Sequence, residues 1–417
     1  MNERRSSKKR LKTTRDLLWQ VINDYYEEGR QAKRDGRPVI WIQHMNGVIE
    51  ALYTMGLYPA FPENWSPVCA ATGLAARNFD VSEELGYSRD LCGYLRNIVG
   101  YFSRTIDEPD LPLGGLPKPD ILVAFGGGCS PAMKIFQIAS RRFDVPTFVA
   151  DLPQVALEEI NESHVKYALY ELERLCEWLE EQTGAKLDMD RLQHVVALSD
   201  RACELWDEIM AMRRAKPAPF SAAEIGIMFV MVTRQGTQQA VDFLEAVRDE
   251  VAEKVEHGEG VIPDERFRLF WDNIPPWYNM GLLNYPEQYG GVVVAETYSA
   301  AWSWRMDPGS PMRSLAMKSL VSYPLVSCVS LQARSDLVLK ACREYQIDGA
   351  ILHSNKSCKP ISLGQAEIAR RLERELGIPS ISFEACHMDS RNFSMAQFET
   401  RIAAFLEMLQ ERQKSPA

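Results

Sequence analysis

The chain has 417 residues, of which 46% are hydrophobic and 25% charged, and a formal charge of -10. That length is too great for one ordinary core, so two or three domains are expected, and the balance is that of a folded protein. The negative charge argues against a general nucleic-acid binder, and no run approaches the roughly 20 apolar residues needed to span a bilayer.

The start carries Arg4, Arg5, Lys8, Lys9, Arg10 and Lys12, which read as a solvated basic tail, and it lacks the apolar segment of a secretion signal. A cytoplasmic setting is therefore expected, where nine cysteines stay reduced and no disulfide framework is needed. Residues Arg15 to Asp35 have the periodicity of an amphipathic helix, Pro38 to Ile42 of a buried strand, and Gly47 to Met55 of a second helix. A strand-like step at Tyr58 to Phe61 ends at Pro62-Glu63-Asn64, read as a polar tip where a sheet turns outward. Asp120 to Phe125 is the strongest strand of this half; a helix from Pro131 to Arg142 and a strand at Thr147 to Ala150 follow.

From Gln154 to Arg214 the pattern is helical, and Pro217 and Pro219 end it. Alternation then resumes with a helix near Ala222, a charged helix from Thr237 to His257, and strands at Arg268 to Trp271 and Val292 to Glu296. A strand from Asp348 to His353, a helix from Leu363 to Leu376 and a strand from Ser380 to Glu384 complete it. Alternating strands and helices imply α/β domains with parallel sheets. The expected division is an N-terminal α/β domain over 1–153, a helical connector over 154–216 and a C-terminal α/β domain over 217–417.

Three cysteines stand apart from the rest. Cys92 closes the run Gly86-Tyr87-Ser88-Arg89-Asp90-Leu91, Cys129 follows a strand and Gly126-Gly127-Gly128, and Cys358 follows the strand of the other half. Structural zinc sites draw ligands in close pairs such as Cys-x-x-Cys, and none occurs here. Three remote soft thiolates could instead share iron and sulfide, leaving one iron of a cubane open to water or substrate. The plainer reading is that each is an ordinary small buried thiol. Cys176, Cys203 and Cys342 fall in helical patterns and read as core; Cys69, Cys328 and Cys386 have no assigned place.

These residues carry a resemblance. Tyr58-Pro59-Ala60-Phe61-Pro62-Glu63-Asn64, the Gly86 to Cys92 run, Pro119-Asp120 with Cys129 beyond, His353-Ser354-Asn355-Lys356-Ser357-Cys358-Lys359 and Ala396-Gln397-Phe398-Glu399-Thr400-Arg401 together resemble the benzoyl-CoA reductase and 2-hydroxyacyl-CoA dehydratase family over nearly the whole chain. The resemblance implies two Rossmann-like parallel-sheet domains with a [4Fe-4S] cluster between them, ligated by Cys92, Cys129 and Cys358. It implies a homologous second catalytic subunit, an acyl-CoA substrate, and a separate ATP-hydrolysing iron-sulfur activator that delivers low-potential electrons. The chain has no Gly-x-x-x-x-Gly-Lys-Ser/Thr phosphate loop of its own, in keeping with ATP being handled elsewhere.

Glu63 matches the acidic residue of the family, a candidate for proton transfer or for holding a cluster-bound water; alone it would read as a solvated loop carboxylate. His44 lies after the Trp41 strand, where dehydratases of the family carry a small hydroxyl residue. An imidazole there could protonate a reduced ring, so an aromatic acyl-CoA reductase of the benzoyl-CoA type is placed first and an (R)-2-hydroxyacyl-CoA dehydratase second. A third reading uses Cys69, Cys328 and Cys386 to complete a double-cubane [8Fe-9S] cluster that reduces small molecules, and a fourth is a non-catalytic partner subunit. His353 and His387 flank strand ends without an assigned role. Trp277, Tyr278, Tyr298, Trp302 and Trp304 could face a flat substrate, although aromatics at this density are more often core.

Overall fold

A computed structural model describes residues 11–44, 48–326 and 330–414. Its frame is a pair of four-stranded parallel sheets. The first contains β1 (Val39–Ile42), β2 (Tyr58–Ala60), β3 (Ile121–Gly126) and β4 (Thr147–Asp151), in the order β2-β1-β3-β4. The second contains β5 (Phe267–Asp272), β6 (Gly291–Glu296), β7 (Gly349–Asn355) and β8 (Ser380–Ala385), in the order β6-β5-β7-β8. Each sheet thus repeats the same path through space, as expected of two Rossmann-like halves.

The central strands are continuous apolar runs because helices cover both of their faces. Val39 to Ile42 and Ile121 to Phe125 are all buried, with Trp41 paired to Ala60 on one side and Leu122 on the other. Around the second sheet one core gathers Val338, Leu339, Leu352, Ile368 and Leu372, and another gathers Leu269, Trp271, Phe398, Ile402 and Phe405. The core of the first sheet is larger. It runs on through Leu172, Leu175, Trp206 and Leu244 to Trp277, Tyr298, Trp302 and Ile361 of the later chain, so one apolar interior underlies most of the molecule.

Between the sheets in sequence lie the helices Glu162–Thr183 and Met189–Met212. The first packs on the helix Pro311–Val326 and the second on the helix Gln238–Glu256. The helix Gln238–Glu256 begins at Thr237, whose side chain accepts from the Ala240 N–H. Among the described residues no helix is long and apolar enough to cross a membrane.

Two local expectations change. Pro62-Glu63-Asn64 is the first turn of the helix Pro62–Ala71, with Glu63 buried rather than at an outward tip. Proline is tolerated at the first helical position because no intrahelical partner exists there for its missing N–H. The expected helix Leu363 to Leu376 begins at Gln365, and a separate short helix, Lys359–Ser362, precedes it across Gly364 with φ +83°. The basic residues of 1–10, the start of the expected Gly47 helix and Cys328 lie outside the described residues.

The seating of the helix Gly93–Ser103 fixes where Cys92 lies, because Cys92 caps it. It packs on the helix Leu74–Glu84, and a Cβ at Gly100 would stand 1.9 Å from the Asn78 carbonyl oxygen. The contact is backbone against helix, so a methyl group cannot be absorbed by a side-chain rotation. Gly100→Ala is expected to destabilise the fold by about 1–3 kcal/mol or more, as overpacking does. Urea denaturation would show this as a lowered midpoint, and an unchanged midpoint would mean that the two helices do not approach so closely.

Candidate active site

In an open parallel sheet, loops leaving neighbouring strands in opposite directions open a crevice at the carboxyl ends. Here that point lies between β1 and β3 in one sheet and between β5 and β7 in the other. His44 comes just after β1, Cys129 after β3, Ile274 after β5 and Cys358 after β7. All four line a single open-sided cavity. Glu63, Cys92, Tyr94, Tyr298 and His387 complete its principal wall. The structure therefore brings His44, Glu63, Cys92, Cys129 and Cys358 to one place.

Each of the three cysteines is the N-cap residue of a helix: Cys92 of Gly93–Ser103, Cys129 of Ser130–Phe143 and Cys358 of Lys359–Ser362. Unpaired N–H groups of a first helical turn point toward such a residue and favour negative charge there. The N–H groups of Leu95 and Tyr94 serve Cys92, and that of Ala132 serves Cys129. Burial nevertheless dominates. It pushes the Cys92 thiol well up, with Cys129 and Cys358 adding to the rise, and pushes Cys129 up to about 12, with Glu63 adding to it.

Cys92 and Cys129, raised in this way, need nearby positive charge to become thiolates. Among the described residues no three His, Cys, Asp or Glu side chains are arranged around a single metal ion. The thiols surround a cavity instead of a point, a donor set suited to several irons bridged by sulfide. The wall includes neither Cys69 nor Cys386; Cys69, Cys176, Cys203 and Cys342 are buried in the cores. Cys386 sits behind the cavity, its Sγ 3.1 Å from Ser357 Oγ.

His44 Nδ1 lies 2.7 Å from Glu63 Oε2, and the His44 backbone N–H donates to the same oxygen at 3.3 Å. Glu63 is 5% exposed and His44 13%, so the imidazole stands between the carboxylate and the open side. Behind it the Trp302 ring stacks at 5.7 Å and 21°. On another wall Trp277 Nε1 donates to Tyr94 Oη at 2.6 Å, and Tyr94 is hydrogen-bonded to Tyr298. Trp277, Tyr298 and Trp302 thus have places near the cavity, and Trp304 lies beyond Trp302.

The two undecided histidines part company. His387 lines the cavity; its Nδ1 lies 3.0 Å from Asn355 Nδ2 and 3.2 Å from Ser357 Oγ, and burial lowers its pKa to about 3, so it is neutral. His353 is core: Nδ1 is 2.7 Å from the Ile274 carbonyl oxygen and the ring stacks on Phe383 at 5.0 Å. Near the cavity the halves are latched by Arg96, on the helix after Cys92, which reaches Asp389 at 3.1 Å and Glu83 at 3.3 Å with Phe79 under its guanidinium.

Tyr94 and the capping role of the cysteines were missed in sequence. A signal existed: Cys129-Ser130-Pro131 and Cys358-Lys359-Pro360 are the same Cys-x-Pro start, with proline in the first helical turn.

A family model described as 2-hydroxyglutaryl-CoA dehydratase, D-component, matches residues 49–409. The (R)-phenyllactyl-CoA dehydratase alpha subunit of Clostridium sporogenes is 29% identical over 410 residues, covering 97% of this chain and 98% of that one. The (R)-2-hydroxyisocaproyl-CoA dehydratase alpha subunit of Clostridioides difficile is 26% identical over 407 residues, with 97% and 98% covered. A benzoyl-CoA reductase subunit of Thauera aromatica is 28% identical over 349 residues, 79% of each chain.

Burial lowers the pKa of His353 from 6.5 to about 4, so over that window the unfolded chain takes up a proton and the folded chain does not. Stability should fall as pH is lowered from 6.5 toward 4, by up to about 1.4 kcal/mol per unit from this residue. Denaturation midpoints across the window should show a flatter dependence in His353→Gln. Equal slopes in the two proteins would contradict the assignment of His353 as a neutral core residue.

Proposed function

Because the chain belongs to the 2-hydroxyglutaryl-CoA dehydratase D-component family, we propose that it is a catalytic iron-sulfur subunit of an (R)-2-hydroxyacyl-CoA dehydratase. The observation that carries this reading is the meeting of three thiols from both halves beside the His44–Glu63 pair. The likeness to two dehydratase alpha subunits over nearly their whole length favours the dehydratase over the reductase placed first from sequence. A benzoyl-CoA type reductase remains the second reading, favoured by the imidazole at His44 and by the likeness to the benzoyl-CoA reductase subunit.

Cys92, Cys129 and Cys358 would hold a [4Fe-4S] cluster, with helix N-termini offsetting its negative charge. Bound there, such a cluster would supply single low-potential electrons to an acyl-CoA thioester, chemistry that would labilise an α-hydroxyl and acidify the β-hydrogen. Glu63 and His44 are the groups that move protons: Glu63, buried from bulk solvent, exchanges a proton with His44 Nδ1 or with the acyl group. Tyr94 and Tyr298 keep their protons at neutral pH, because burial raises both phenols, and so stay hydrogen-bond donors at the wall. In this reading the electron comes from a separate ATP-hydrolysing activator. A second subunit of the same fold completes the enzyme, in line with relatives that are themselves named as subunits.

Anaerobic assay with activator, ATP and a reductant tests the choice: a 2-hydroxyacyl-CoA should be turned over, and turnover of benzoyl-CoA alone would reverse it. Cys129→Ala should lose bound iron and the broad visible absorbance, from about four irons per chain; retention of both would refute the ligand set. Glu63→Gln should keep its iron and lower kcat by about 10²–10⁴-fold. Full activity in that variant would remove Glu63 from the proton path.

A further inference from the structure

Behind the His44–Glu63 pair, away from the three cysteines, two small voids follow one another into the core. The first shares His44, Glu63, Tyr94 and Tyr298 with the main cavity and adds Asn64 and Trp302. The second shares Trp302 and Val232 with the first and ends on Trp304, Gln235 and Lys318. Each has room for about one water molecule, the second barely so.

Their walls are not apolar throughout. Asn64 Nδ2, Trp302 Nε1 and Trp304 Nε1 are buried donors with no acceptor among the described residues. A buried donor left unmatched costs about 1–3 kcal/mol, so three along one path call for an acceptor that side chains do not provide. Water is the acceptor that fits the space. At the inner end Lys318 Nζ donates to Glu50 Oε1 at 2.6 Å and to Gln235 Oε1 at 2.8 Å, with its ammonium 4.8 Å from the Trp304 ring centroid. Both charged groups are buried, Lys318 at 2% and Glu50 at 0% exposure. Burying a pair this deeply is costly and often no more stabilising than an apolar replacement, which makes a role beyond stability reasonable.

We propose that the two voids hold a file of ordered water molecules joining Lys318 to Glu63, and that this file carries one proton to and from the active cavity. In the forward step an N–H bond of Lys318 breaks and an O–H bond of Glu63 forms, each water releasing one proton as it takes another. The role in turnover rests on the dehydratase reading. There the leaving hydroxyl consumes one proton and the β-carbon releases one, so the return transfer restores the Lys318 ammonium without an outside acid.

The water sites do not depend on that reading and are tested apart from it. A high-resolution crystal structure of the protein should show water oxygens within hydrogen-bond distance of Asn64 Nδ2, Trp302 Nε1 and Trp304 Nε1; dry voids overturn the proposal whatever the activity. For the transfer, Trp304→Phe keeps the ring over Lys318 and removes one donor. It should lower turnover roughly tenfold, an order below loss of a direct proton donor, and raise the solvent deuterium isotope effect while iron content and acyl-CoA KM stay unchanged. A paired Lys318→Met and Glu50→Gln variant, which leaves no buried charge unpaired, should do the same. Unaltered turnover and isotope effect in either variant overturn the relay. Absence of turnover in the parent protein, with the waters in place, would count against the dehydratase reading and not against the file.

Discussion

A parallel sheet sends the carboxyl ends of all its strands to one end, and in this chain the loops leaving those ends in two sheets of the same strand order line one cavity. Everything at the candidate site derives from that meeting. The loops after β1 and β3 bring His44 and Cys129; the loops after β5 and β7 bring Ile274 and Cys358. Neither sheet could assemble the site alone, because each supplies only part of its wall. The continuous core from the first sheet through Trp277 and Trp302 to Ile361 gives the two ends a common support.

The electrostatics of the cavity are set by a shortage of positive charge. Three thiols and the buried Glu63 line one cavity, and Cys92 and Cys129 are pushed toward their neutral forms by burial first and by neighbouring sulfurs second. Helix N-termini offset part of this, but their partial charges are small beside a full desolvated anion. Binding of the proposed cluster would therefore release protons from these thiols, and its capture would depend on pH. The neutral forms of His387 and the two tyrosines add hydrogen-bond donors without adding charge.

Much of this was legible in sequence, for identifiable reasons. Strands buried on both faces are short unbroken apolar runs, so Ile121 to Phe125 and Gly349 to Leu352 stood out, and Cys129 and Cys358 came with them. Pro62-Glu63-Asn64 misled because proline and polar residues signal a turn as readily as a helix start; only burial of Glu63 beside His44 separates the two, and burial is a property of the assembled fold. The helix Gly93–Ser103 went unnoticed although Arg96 and Asn97 give it a polar side; both are buried against polar partners, Asp389 and Ser66, which only the assembled fold shows. Trp302 and Trp304 look like any core aromatics until their ring N–H groups prove to be unmatched.

The contact between Arg96 and Asp389 gives the site a property of its own. It ties the cysteine-bearing helix of one half to the histidine-bearing loop of the other by protein atoms alone, with the Phe79 ring beneath the guanidinium. The outline of the pocket is then held independently of its contents. Were the proposed cluster lost, this tie between the halves would remain, and the pocket would keep the shape needed to be filled again.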